Sequence, residues 1–84
     1  MEHWTFEQME DMQRNGKIPT TAWVTKDGGE PVPALLRSVT ARKSPTERIV
    51  VYTTAAAHFA AVPVEDVQEG RVRFYPEKPE EGTP

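Results

Sequence analysis

The chain has 84 residues and a formal net charge of −3, with eight prolines, five glycines and no cysteine. So short a chain has one core and no room for a second domain, and the lack of cysteine excludes disulfide staples and thiolate metal sites. No apolar run approaches the roughly 20 residues that span a bilayer, and the acidic N-terminal stretch lacks the basic-then-apolar order of a signal peptide, so a cytoplasmic protein with no membrane partner is expected.

The net charge conceals a division. Residues 1–16 carry Glu2, Glu7, Glu10 and Asp11 against Arg14, a balance of −3, and residues 17–75 have a balance of +2. Residues 76–84, with Glu77, Glu80 and Glu81 against Lys78, contribute −2. Acidic ends therefore flank a mildly basic body, and a balance this small does not demand nucleic acid as a partner.

Thr5-Phe6-Glu7-Gln8 has the form of a capping box, in which the Thr hydroxyl accepts from the Gln8 backbone N–H and the Gln side chain reaches back. Trp4 and Met9 stand at the staple positions before and inside this helix start. Phe6, Met9 and Met12 follow at a spacing of three, which predicts one narrow apolar stripe docked on the rest of the domain, with Glu7, Glu10, Asp11 and Arg14 facing away. Gly16 supplies a left-handed cap and Pro19 prevents continuation.

Thr20 to Lys26, rich in Thr, Trp and Val, predicts a strand. Asp27-Gly28-Gly29-Glu30 predicts a turn in which glycine permits positive φ. Pro31 and Pro33 disfavour ladder pairing, so regular pairing of the second strand is expected from about Ala34. Ala34 to Ala41 lacks clean alternation, and a bend or bulge near Arg37-Ser38 would let Leu35 or Leu36 and Val39 both point inward. Residues 42–46 read as a basic exposed loop.

Val50 to Val67 is the stretch around which the rest is organised. Ile49, Val50, Val51 and Tyr52 are apolar on both faces of a would-be strand, as a strand with neighbours on both sides should be. After a turn, His58, Ala60, Val62 and Val64 alternate with Phe59, Ala61 and Pro63, the period of a second strand. A short helix over Thr54 to Ala61, capped by Thr53 or Thr54, is the rival, since Ala is the best helix former. An isolated helix so short is marginal, and the hairpin is preferred. Glu65-Asp66-Val67 predicts one 3₁₀ turn, and Arg71 to Tyr75 a last strand with Val72 and Phe74 inward. Residues 76–84, proline-rich, acidic and without apolar anchors, are expected to be disordered, which leaves a single domain over residues 1–75. The fold class expected is mainly β with one N-terminal α-helix, a five-stranded antiparallel small barrel whose closure removes exposed edges.

This layout resembles the Sm-like barrel group. The features that carry the likeness are the N-terminal helix, Trp23 to Gly28 as first strand and turn, the long second strand, Glu47 to Tyr52, and Val62-Pro63-Val64-Glu65-Asp66-Val67 leading into the last strand. Within that group, the length, the acidic helix and the separate first turn are most similar to the family of small bacterial inhibitors of the termination factor Rho. An SH3-like barrel has nearly the same strand order. Two departures bear on function. Val32-Pro33-Ala34 stands where Sm proteins commonly have a glycine, and Val64-Glu65-Asp66 stands where the bacterial Sm-like RNA chaperone carries a Lys-His pair. The resemblance implies a regulator that docks on a larger protein of the transcription or RNA machinery, rather than a ring-type RNA binder.

Catalytic chemistry has no positive support. His3 and His58 are far apart with no ligand pair at metal spacing, so neither a metal nor another cofactor is expected, and His58 reads as a rim or turn residue. Ser38 and Ser44 lack an elbow motif or a base in fixed relation, Glu65 and Asp66 are adjacent and point differently, and Gly28-Gly29 lacks the Lys-Ser/Thr of a phosphate loop. The chain is therefore read as a non-enzymatic binding domain, monomeric or a small oligomer, whose contact residues for a larger protein are Glu7, Glu10 and Asp11. The alternative is an RNA-binding barrel using Arg37, Arg42, Lys43, Arg48, Arg71 and Arg73, with Trp23, Tyr52 and Tyr75 as stacking platforms. Against it, arginines on strands are ordinarily solvated and aromatics ordinarily belong to the core.

Overall fold

A computed structural model of the chain describes residues 2–79. In order it forms α1 (Phe6–Arg14), β1 (Thr20–Lys26), β2 (Val32–Arg42), β3 (Arg48–Thr54), β4 (Ala60–Pro63), α2 (Val64–Gln68) and β5 (Val72–Tyr75). The strands make one antiparallel sheet in the order β4-β3-β2-β1-β5.

Local chemistry accounts for most boundaries. The turn from β1 to β2 places Asp27 and Gly28 at φ 53° and 75°, with the Gly29 N–H donating to the Lys26 carbonyl at 2.9 Å. The turn sits inside the longer connection between the paired residues Val24 and Val32, and Gly28 takes the positive φ at no steric cost. Gly16 is left-handed after α1 as expected, at φ 74°. Residues 54–61 form the hairpin, not the rival helix: β3 ends at Thr54, a turn follows, and Val50, Val51 and Tyr52 pair with Val62, Ala61 and Ala60.

Three expectations are corrected in detail. Val32 and Pro33 already pair with Val24 and Trp23, ahead of Ala34; β3 joins only at Ala34, so on that side Pro33 has no ladder neighbour to miss its N–H. The segment after β4 is an α-helix of five residues, Val64–Gln68, rather than a 3₁₀ turn: the Glu69 N–H donates to the Glu65 carbonyl, four residues back, at 2.9 Å, and Val64 and Val67 are buried. The last strand begins at Val72, since the Arg71 N–H closes the helix end on the Asp66 carbonyl. Of the residues expected to form a disordered tail, 76–79 are described, and the Lys78 ammonium lies 5.5 Å from the centre of the Trp23 ring. The rest of the expected disordered tail, residues 80–84, lies outside the described residues.

The core draws on every strand, with Val24, Leu36, Val50, Val62 and Phe74 buried together with Phe6, Met9, Val64 and Val67 of the helices. One face of one sheet can enclose a core only if the sheet curls. The pairing of β2 with β3 slips between Leu36 and Ser38 and again between Ser38 and Ala41, which turns the strand so that Leu36 and Val39 are both fully buried. The expected closure by pairing is not present among the described residues. The edge strands β4 and β5 have four residues each, and α2 packs against both. The residues that would have extended either edge are spent on that helix.

Candidate docking surface

α1 is fixed to the sheet from several directions. The Thr5 N–H donates to Gln8 Oε1 at 2.8 Å and the Gln8 N–H to Thr5 Oγ1 at 3.1 Å, the capping box read from sequence. The Trp4 N–H donates to the Phe74 carbonyl at 2.8 Å, tying the helix entry to the edge of β5. Phe6 and Met9 are buried and Met12 partly so. Gln13 completes the attachment: its Oε1 accepts from the Val39 N–H at 2.7 Å and its amide donates to Thr40 Oγ1. The slipped register of β2 leaves that N–H without a regular ladder partner, and the helix supplies one. Gln13 was not singled out from sequence, where a lone Gln on a polar helix face carries no signal.

The three acidic candidates do not share one environment. Glu7 and Asp11 are exposed, and Asp11 pairs with Arg14 one turn on. Glu10, expected to face away, instead leans toward β3, where Arg48 Nη2 donates to its Oε2 at 3.1 Å. The same guanidinium lies 5.5 Å from the centre of the Phe6 ring. Arg48 thus binds the helix to the sheet and takes one charge off the acidic face. Glu7 has no ionic partner among the described residues. The face rests beside a shallow hollow of about 230 Å³ lined by Glu10, Gln13, Arg14 and Thr40.

The basic candidates are dispersed. Arg71 donates to Asp66 and Glu69, and these hydrogen bonds hold its guanidinium above its ordinary range. Arg42 donates to the Pro45 carbonyl and Arg73 Nε to the Gly70 carbonyl, each at 3.0 Å. With Arg48 committed to Glu10, Arg37 and Lys43 are the two of the six whose side chains have neither a hydrogen-bond nor an ionic partner among the described residues. The proposed stacking platforms are mostly internal. Tyr52 is buried edge-on to Phe74 at 5.3 Å, and burial pushes its phenol above the usual value. Tyr75 is buried against His3, and Trp23 is half-buried beneath Lys78. The most exposed aromatic is one the sequence reasoning did not select: Phe59, 68% exposed in the turn beside His58.

Among the described residues no group of His, Cys, Asp and Glu side chains could hold a metal ion, and no helix is long and apolar enough to cross a membrane. Comparison with protein-family models, with curated proteins and with solved structures returned no match.

Proposed function

We propose that this chain is a non-enzymatic binding domain, a regulator that docks on a larger protein through the exposed face of α1. The observation that supports this reading most directly is the combination of an exposed helix face, on which Glu7 has no ionic partner among the described residues, with a helix fixed to the sheet from behind. Glu7 and Asp11 are exposed, while Gln13, Glu10, Met9 and the Trp4 N–H fix the helix on the sheet. A face that is already ordered loses little conformational entropy on binding. Its charge steers encounter with a basic surface and sets specificity. Within this reading the curled sheet is a small barrel of Sm-like or SH3-like type, supported by the strand order and by α2 lying between the two edges. The resemblance to the Rho-inhibitor family supports a partner in the transcription or RNA machinery.

Charge reversal tests the reading. Glu7→Lys combined with Asp11→Lys leaves Glu10 and Arg48 intact and keeps the far-ultraviolet circular dichroism unchanged. Immobilised wild-type protein is expected to capture a specific host protein in a salt-sensitive manner, and the double variant to lose it. Anisotropy titration of a labelled oligouridylate is expected to show no saturable binding. Retained capture by the double variant, or tight oligouridylate binding that Arg37→Glu abolishes, would count decisively against acidic-face docking.

A further inference from the structure

The outer face of the sheet carries an aromatic row that the core does not use. Ala22 and Val24 are buried in the core, so Trp23 between them points the other way. Its register partners are Tyr75 on β5 and Pro33 on β2, which puts a tyrosine, a tryptophan and a proline side by side across three strands. Tyr75 is 8% exposed without belonging to the core cluster, so it is covered from outside. The two ends of the chain supply cover for this row. The His3 ring lies edge-on to Tyr75 at 5.9 Å, and the Lys78 ammonium lies 5.5 Å from the centre of the Trp23 ring. Pro79 shares with Tyr75 and Pro31 the lining of a concavity of about 610 Å³.

The C-terminal cover is lightly held. The chain bends at Pro76 and Glu77 and turns back over the sheet. Pro76, Glu77 and Lys78 are exposed, and Pro76 and Pro79 have no N–H with which to continue the pairing of β5, which ends at Tyr75. The segment is seated by the cation on the tryptophan face and by the proline in the concavity. An exposed cation–π contact favours the seated form by only about two- to five-fold. A cover held so weakly over an aromatic row is open for an appreciable fraction of the time.

We infer that residues 76–79 are a displaceable strap, which occupies from within the chain a docking site for an extended partner segment in which lysine or arginine stands next to proline. The strap itself displays the chemistry the site takes. The partner's cation replaces Lys78 over the electron-rich face of Trp23, and its proline replaces Pro79 beside Tyr75 and Pro31. Pro33, exposed at the other end of the row, offers the partner segment further apolar contact. Because strap and partner compete for one surface, the strap lowers the partner's apparent affinity by the fraction of time the site is open. The site lies on the sheet, and it stands independently of the acidic face of α1.

The test uses the full chain, as wild type and as Lys78→Ala, titrated with the peptide N-acetyl-Pro-Glu-Lys-Pro-amide. NMR shifts of the Trp23 indole N–H and of the backbone amides of residues 21–25 and 72–75 report binding. Lys78 is exposed, so the substitution leaves the fold intact. Even without peptide, Lys78→Ala should move the Trp23 indole signal. The peptide is expected to bind saturably to both proteins, at millimolar concentration in the wild type and about three- to six-fold more tightly in Lys78→Ala, where the competing strap has lost its hold. Lys78→Arg keeps the cation and should bind like the wild type. A control peptide with glutamine in place of lysine should leave the indole signal unmoved. No saturable shift in either protein, equal affinity of wild type and Lys78→Ala, an indole signal indifferent to Lys78→Ala, or equal binding of the glutamine peptide would each overturn the proposal. Shifts that follow protein concentration without peptide would overturn it in favour of strap exchange between two copies. Glu7→Lys with Asp11→Lys should leave this titration unchanged, so failure here is distinguishable from failure of the α1 face.

Discussion

Replacing Gln13 by Leu isolates the joint between α1 and the slipped part of β2. Leu keeps the helix propensity and most of the volume but removes both polar contacts, leaving the Val39 N–H without the oxygen that lies 2.7 Å from it. Val39 is fully buried, so the orphaned donor costs about 1–3 kcal/mol. The second bond, to the exposed Thr40 hydroxyl, adds little. For a domain of this size 1 kcal/mol corresponds to about 4–8 °C in Tm, so a loss of about 10 °C is the central expectation. Thermal unfolding by circular dichroism measures it, and hydrogen exchange at the Val39 amide gives the local readout: slow in the wild type, fast in Gln13→Leu. Gln13→Glu keeps the acceptor for Val39 and loses only the donor to Thr40, so its melt should lie well above that of the Leu variant. A Gln13→Leu protein melting within about 2 °C of wild type, with the Val39 amide still protected, would show that water or a relaxed strand satisfies this N–H and that Gln13 is not the joint.

Thr5→Ala removes one half of the capping box and should cost about 0.5–2 kcal/mol in urea unfolding with an unchanged m value. Arg48→Met breaks the half-exposed pair with Glu10 and should cost no more than about 1 kcal/mol, while restoring Glu10 as a free charge and raising the affinity of the α1 face for a basic partner. Tyr52 supplies a pH dependence. Burial raises its folded-state value above the ordinary 10.0, so the folded state holds this proton more tightly than the unfolded chain. The stability it contributes is complete below pH 10 and is lost as pH rises from there through the folded value. Wild-type unfolding free energy should therefore decline more steeply above pH 10 than that of Tyr52→Phe, and parallel slopes for the two would contradict the burial argument.

What could be read in advance is what is encoded locally. The capping box, the three-residue stripe, the glycine turn after β1 and the two-sided apolar strand each depend on residues within a few positions of one another, and each is present. Even the irregularity of β2 was legible, because Leu36 and Val39 cannot both face one side of a regular strand. The long-range pairings were not. Nothing near Glu10 announces Arg48, nothing near Gln13 announces Val39, and the five-residue α2 between β4 and β5 depends on a gap that exists only once the sheet has curled. The candidate site suffered the same blindness, since three acids on one helix look equivalent until the strand behind one of them is placed. Phe59 is the converse case. Alternation grouped it with Ala61 and Pro63, but only the structure shows that it lies in the turn before β4 and is largely uncovered. With 68% of its surface exposed, Phe59→Ser gives up little burial, and its Tm should stay within about 3 °C of wild type. A loss of 8 °C or more would mean that the β3–β4 turn is packed in solution against something that leaves the ring covered, and the outer face of the sheet, rather than α1, would become the first surface to examine for a partner.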